Sequence, residues 1–357
     1  MLDVEKFLEE TALKIDRTIE KYLPKAFSKT SEAFKTMTPE HAYNIETLNK
    51  AIADPIWEFL GRGGKRWRPA LFLLVCEALG KNSDDFLDFA IIPEVIHNGT
   101  LMIDDIEDSS ELRRGKPCTY RIYGLDIAIN AGNAMYYLPL LSLLKHKQDI
   151  PVSKLLKVFE IYTQEMINLS FGQAMDIAWH RGLSNADEIG EKDYLQMCAY
   201  KTGTLARMSA KMAAVLADAD AELTDKLGHF AESIGIAFQM RDDVLDLSSK
   251  AFQEKKGGQG QDITEGKRSL VVIHTLQVAD SQDKKRLIQI LNMHSSNQEI
   301  RDEAIAIMDR YGSMDYVKKT ANRMVKESWE EAEKCLTNRE GKEKLKAFAE
   351  FLIERNI

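Results

Sequence analysis

Two stretches of this sequence set aspartates one helical turn apart. In Leu101-Met-Ile-Asp104-Asp105-Ile-Glu107-Asp108 an apolar run ends in four carboxylates within five positions. On a helix Asp104 and Asp108 stand about 40° off one line and share a face. Like charges so close raise one another's pKa unless cations bridge them. Hard oxygen donors on one face suit Mg²⁺, which keeps waters and binds through one or two carboxylates plus substrate phosphates. The arrangement recurs in Phe238-Gln239-Met-Arg241-Asp242-Asp243-Val-Leu-Asp246. One such cluster reads equally well as a solvated helix end; a pair, each closing an apolar stretch, points to metal-assisted chemistry on an anion that arrives with the metal.

Two short basic loops could hold that anion. Gly63-Gly64-Lys65-Arg66-Trp67-Arg68-Pro69 presents backbone N–H groups and cations just before a helix, as an oxyanion cradle does. Arg113-Arg114-Gly115-Lys116-Pro117 begins five residues after Asp108, so its cations and the bound metals could share one phosphorylated ligand. Taken alone, His97 on an apolar helix reads as a core histidine, and Met166, Met208 and Met212 as core or tunnel lining. The four cysteines are far apart in sequence, with no CxxC spacing, so neither a zinc site nor a disulfide framework is indicated and a reducing compartment fits. No Ser/His/Asp or Cys/His nucleophile is evident.

The elements that must position these groups read as helices. Proline is scarce, 8 in 357 residues, and none follows Pro151. Apolar residues recur at helical spacing, as in Leu155, Phe159, Tyr162, Met166 and Leu169, and again in Leu227, Phe230, Ile234 and Phe238. Strand alternation is nearly absent. Breaks at 28–40, 61–64, 109–117, 146–151, 181–185 and 248–266 separate roughly a dozen helices. Without a repeat or a Gly/Ser linker, the simplest architecture is one all-α catalytic domain, 48–357, preceded by a helical extension, 1–47, packed loosely on it. Hydrophobic residues at 44% and charged residues at 29% describe a globular chain. A net charge of −8 argues against general nucleic-acid binding. The acidic N-terminus lacks a signal core, and the greasiest runs, 69–79 and 134–144, fall short of the ~20 residues of a spanning helix.

The motifs together resemble the trans-isoprenyl diphosphate synthases, the head-to-tail prenyltransferases or polyprenyl synthases. The resemblance rests on 64–69, on 104–108 with Arg113-Arg114-Gly115, on Gly172-Gln173, Lys201-Thr202-Gly203 and Phe238-Gln239 with 242–246, and on Asp262-Ile-Thr-Glu-Gly-Lys267. It runs from about residue 55 to 270, with compatible helical sequence beyond. Within the family, 97–109, 122–124, 172–177 with Trp179, and 262–267 are most like the animal and fungal geranylgeranyl diphosphate synthases.

The resemblance implies an isoprenoid-synthase-type helical bundle around a central cavity, in which isopentenyl diphosphate adds to an allylic diphosphate. It implies three Mg²⁺ ions, two on Asp104 and Asp108 and one on Asp242, with Asp105, Asp243 and Asp246 acting either on the groups that surround the ligands or through water. Arg113, Lys201, Lys267, Thr202 and Gln239 would hold the allylic diphosphate, and Lys65, Arg68, His97 and Arg114 the isopentenyl diphosphate. Gln173 and Asp176 would line the cavity. The chain departs from the family at Gly257-Gly258, where a lysine is usual; Lys255 or Lys256 are the nearby substitutes. Residues one turn and more before Asp104, namely Thr100, Gly99 and Ile96, would face the growing tail, and small residues there favour a geranylgeranyl product. The alternatives are a longer chain, since Ile96 is a moderate barrier, or farnesyl diphosphate. A cytoplasmic homodimer, near a membrane because its products are apolar, completes the expectation. A terpene cyclase lacks a second-substrate loop and usually an Asp-rich second cluster, and a regulatory subunit commonly loses aspartates that are intact here.

Overall fold

In a computed structural model all residues are described except Met1, 36–40, 184, 186, 187, 249–258 and 355–357. The longer helices are α1 (Val4–Tyr22), α2 (Trp67–Ala78), α3 (Leu87–Glu107), α4 (Leu125–Tyr137), α5 (Val152–His180), α6 (Glu191–Cys198), α7 (Thr204–Leu216) and α8 (Ala221–Ser248). They are followed by α9 (Leu270–Val278), α10 (Ser281–Met293), α11 (Gln298–Arg310), α12 (Ser313–Ala332) and α13 (Arg339–Glu354). Among the described residues the extended structure is one two-stranded hairpin, β1 (Leu112–Arg113) and β2 (Lys116–Pro117). The all-α expectation holds.

The chain packs as two compact units. The first comprises Met1–Tyr162, Met208–Gly228 and Cys335–Phe348, and the second Thr163–Arg207, His229–Lys334 and Ala349–Ile357.

In the first unit, α1 starts where the Asp3 carboxylate accepts from the Lys6 N–H, satisfying one donor of the first turn. Its buried stripe is Val4, Leu8, Thr11, Ile15, Ile19 and Tyr22, the spacing of a single apolar face. That face packs on α2 and α3. Tyr22 donates to Asp88 at 2.5 Å, and the Trp57 indole donates to the Leu23 carbonyl at 2.9 Å. The N-terminal segment is therefore seated tightly, where the sequence pointed to loose packing. Helix α2 is buried nearly all round, which explains its continuous apolar sequence. Two stretches, 83–107 and 125–145, are long and apolar enough to cross a membrane, with 61% and 44% of their most apolar windows buried. Each is longer than the uninterrupted apolar runs of the sequence because isolated polar residues punctuate it. They contain α3 and α4, which pack against each other.

In the second unit, α9 packs on α12, α6 and α11. Phe230 and Trp329 meet with ring centroids 5.0 Å apart. Asp280 caps α10, accepting from the Gln282 and Asp283 N–H groups.

Candidate active site

In the first unit, α3 carries the aspartates to its C-terminal end. Asp105 is buried, while Asp104 and Asp108 are half-buried. After α3 the chain turns back through the hairpin, whose two central residues, Arg114 and Gly115, both have positive φ, 53° and 76°. This is the geometry that matches the twist of a two-residue hairpin. The turn sends Arg113 back to the helix: its Nε donates to Asp105 Oδ1 at 2.7 Å, and its Nη2 lies 3.7 Å from Asp104 Oδ2. Burial pushes the Asp105 carboxyl pKa up and Arg113 pulls against it. Arg62 fastens the hairpin to the preceding segment by donating to the Arg113 and Pro117 carbonyls at 3.1 and 2.8 Å while paired with Glu58.

The glycine-rich loop lies against the same hairpin. Gly63 and Gly64 have φ of +85° and +151°, conformations that glycine adopts without steric cost. Arg114 Nη1 donates to the Gly63 carbonyl. Arg68 is buried over the Trp67 ring at 4.4 Å, and Lys65 is exposed. Burial and the charges of Arg68, Arg114, Arg113 and Arg66 hold the His97 imidazole neutral, its pKa well below the usual histidine value. Burial, with Arg66, Arg113 and Arg62 nearby, pushes Arg114 down to about 10 against the pull of Glu94. Cations that depress one another in this way gain most from an anion. The first unit thus brings Arg68, His97, Arg113 and Arg114 together, with Arg113 beside Asp104, and carries Lys65 and Asp108 on the adjoining loop and helix end.

In the second unit, Lys201 and Thr202 lie on a wide π-type turn, Ala199–Gly203, between α6 and α7, a feature frequent at functional sites. Gly172 on α5 lets that turn approach: a Cβ there would fall 2.3 Å from the Lys201 nitrogen. Lys201 Nζ donates to Asp176 Oδ2 at 2.5 Å. Thr202 donates to Gln239 Oε1 at 3.2 Å, Gln239 donates to Asp243 Oδ1 at 2.8 Å, and Tyr194 donates to Asp243 Oδ2 at 2.8 Å. Asp246 holds the next loop, accepting from the Asp262 N–H at 3.2 Å. Burial works against the Lys267 ammonium, yet Asp262, Glu265 and Asp176 hold its pKa well above the ordinary lysine value. Gln173 and Asp242 are half-buried. Lys255, Lys256 and Gly257-Gly258 lie outside the described residues.

Several expectations change. Asp176 is the counter-ion of Lys201 and bears electrostatically on Lys267, a role beyond lining a cavity. Gly99 does not face a tail. A Cβ there would fall 2.8 Å from both the Gly132 carbonyl oxygen and Met135 Cβ of α4, so the residue serves close helix packing. The helical period explains the error: Ile96, Thr100 and Asp104 form one stripe at four-residue steps, while Gly99 and Ile103, which would be 2.9 Å from a Cβ on Gly132, form another. Gly99→Ala is expected to destabilise the protein in thermal or urea unfolding. Overpacking against a backbone oxygen costs about 1–3 kcal/mol, more than the roughly 1 kcal/mol gained in helix propensity.

Asp104, Asp108 and Asp242 supply hard oxygen donors at helix surfaces, which fits Mg²⁺. Among the described residues no group of three or more His, Cys, Asp or Glu could hold a metal ion, so any ion here would complete its shell with water and substrate oxygens, as Mg²⁺ does at phosphates.

The polyprenyl synthetase family profile matches residues 49–308. The chain belongs to that family. A short chain isoprenyl diphosphate synthase from Methanothermobacter thermautotrophicus is 31% identical over 338 residues, covering 94% of this chain and 97% of that protein. A geranylgeranyl pyrophosphate synthase from Neocamarosporium betae is 31% identical over 304 residues, 85% of this chain and 84% of that protein. Among solved structures, the geranylgeranyl pyrophosphate synthetase of Pyrococcus horikoshii superposes with a TM-score of 0.83 at 30% identity, covering 99% of both chains.

Proposed function

We propose that this polyprenyl synthetase condenses isopentenyl diphosphate with an allylic diphosphate, with geranylgeranyl diphosphate as its main product. The observation that carries the reading is the gathering of Arg68, His97 and Arg114 into one electropositive cluster beside the loop that bears Lys65, in a chain that also bears the Lys201, Gln239 and Lys267 network. Two anion-binding sets fit two diphosphate substrates. Relatives named geranylgeranyl pyrophosphate synthase support the product assignment.

In this reading Asp104, Asp108 and Asp242 would hold three Mg²⁺ ions, which would supply positive charge to the departing diphosphate. Arg113, Lys201 and Lys267 donate to the same leaving group, with Thr202 and Gln239 orienting it. The allylic C–O bond breaks with its electron pair leaving on the diphosphate, the isopentenyl double bond attacks the resulting cation, and the proton lost to restore a double bond passes to the released diphosphate. Apolar walls keep water from the cation. The enzyme works as a cytoplasmic homodimer.

Labelled isopentenyl diphosphate given with an allylic primer is expected to enter an allylic diphosphate product; a cyclase would incorporate none. The two anion sets are separable by kinetics. Arg68→Ala is expected to raise KM for isopentenyl diphosphate about tenfold or more, and Lys201→Ala to act mainly on the allylic substrate, as loss of a charge-assisted hydrogen bond does. Reversed effects would contradict the assignment. Product length is set along the stripe of Ile96 and Thr100 below Asp104. Four or five positions of about 1.5 Å rise give roughly 6–7 Å, near one isoprene unit. Thr100→Tyr is therefore expected to shift product toward farnesyl diphosphate in chromatographic assays, with Mg²⁺ dependence unchanged. An active variant with unaltered product length would remove Thr100 from the tail's path.

A further inference from the structure

Arg66, between the two cations assigned to isopentenyl diphosphate, is itself spent inside the protein. Its backbone sits in the left-handed region, φ 48° and ψ 36°, uncommon for a residue with a Cβ and maintained only where the surroundings over-determine it. The side chain is 1% exposed and points its guanidinium in three directions. Nε donates to Asp16 Oδ1 at 2.9 Å, Nη1 to Glu94 Oε1 at 3.0 Å, and Nη2 to the Leu60 carbonyl at 3.2 Å. Glu94, also buried, accepts from Asn98 Nδ2 at 3.0 Å. Asn98 Oδ1 lies 3.5 Å from Arg114 Nη2, and Arg114 returns to the Gly63 carbonyl. The circuit therefore joins α1, α3, the hairpin and both ends of the glycine-rich loop.

We propose that the Asp16–Arg66–Glu94–Asn98 network is a positioning device for the isopentenyl diphosphate cradle, and that α1, through Asp16, is part of it. The proposal rests on the reading of Lys65 and Arg68 as ligands of that substrate. Two carboxylates pair with Arg66, so it serves as an anchor and leaves anion binding to its neighbours. With the Arg66 fork fixed on three sides, the backbone on either side presents Lys65 and Arg68 in one orientation. Lysine has no planar fork and cannot make the three contacts together. Asp16 of α1 thereby acquires a function that the N-terminal sequence does not display.

The test is steady-state kinetics on the full chain, varying each substrate separately, with thermal unfolding recorded for every variant. Asp16 has a side chain 48% exposed, so Asp16→Ala leaves the core intact. It is expected to raise KM for isopentenyl diphosphate about fivefold while kcat and the allylic KM stay within about twofold, the signature of a lost ground-state contact to one substrate. Asp16→Glu is expected to restore most of the loss. Arg66→Lys should raise the same KM by more than about tenfold. Arg68→Ala serves as the control on the underlying reading. If Arg68→Ala raises the isopentenyl KM and Asp16→Ala does not, the positioning role is overturned. If Arg68→Ala has no effect either, the assignment of the cradle fails instead. Equal changes in both KM values, tracking a lowered unfolding midpoint, would show a structural contact only.

Discussion

Asp104→Ala, Asp108→Ala and Asp242→Ala are each expected to lower kcat at least about a hundredfold, the size of effect found when one group stabilising developing oxyanion charge is removed. The three carboxylates are half-buried at helix surfaces, so replacing them leaves each core packed and the loss reports on chemistry. EDTA should abolish turnover and added Mg²⁺ restore it, with the aspartate variants requiring more metal. Asp105→Ala should differ in kind. Its carboxylate accepts from Arg113 at 2.7 Å, so the variant loses the anchor of a cation, and its burial adds a folding penalty. Wild-type turnover in EDTA would contradict the metal role of both clusters.

Gly172→Ala should be nearly as damaging although it removes no functional group. The added methyl would lie 2.3 Å from the Lys201 nitrogen and 2.6 Å from the Tyr200 carbonyl carbon, both backbone atoms of the wide turn. The turn has to move, and with it Lys201 and Thr202. A displacement of about 1 Å in a positioning group can cost a hundredfold in rate. A lower unfolding midpoint accompanies the loss, against the small gain that alanine brings to an unconstrained helix. Activity within twofold of wild type would show that Lys201 does not need its present place.

The aspartate clusters and basic loops were legible because each lies within a few residues of one helix or turn, where spacing alone fixes which groups share a face. The helical class followed from periodicity and from the absence of proline beyond Pro151. Contacts made across long sequence separations were not legible. Nothing near Arg66 marks it as the partner of Asp16 and Glu94, and nothing near Arg62 marks it as the residue that holds the hairpin. Gly99 was misread for a related reason. Its small size fits either an open tunnel or a close helix crossing, and only the position of Gly132 decides between them. Asp176 likewise became a counter-ion only when the turn at Lys201 was brought beside it. Tyr194 carried a signal too weak to use, a lone aromatic near a break, yet it orients Asp243.

The most direct measurement is the chain length of the product formed from farnesyl diphosphate and excess labelled isopentenyl diphosphate in the presence of Mg²⁺. The expected result is one labelled species, geranylgeranyl diphosphate, formed by a single addition and not extended further. Absence of label from any diphosphate product would contradict the assignment of the chain as a condensing enzyme, and a ladder of longer products would contradict the limit placed at Ile96 and Thr100.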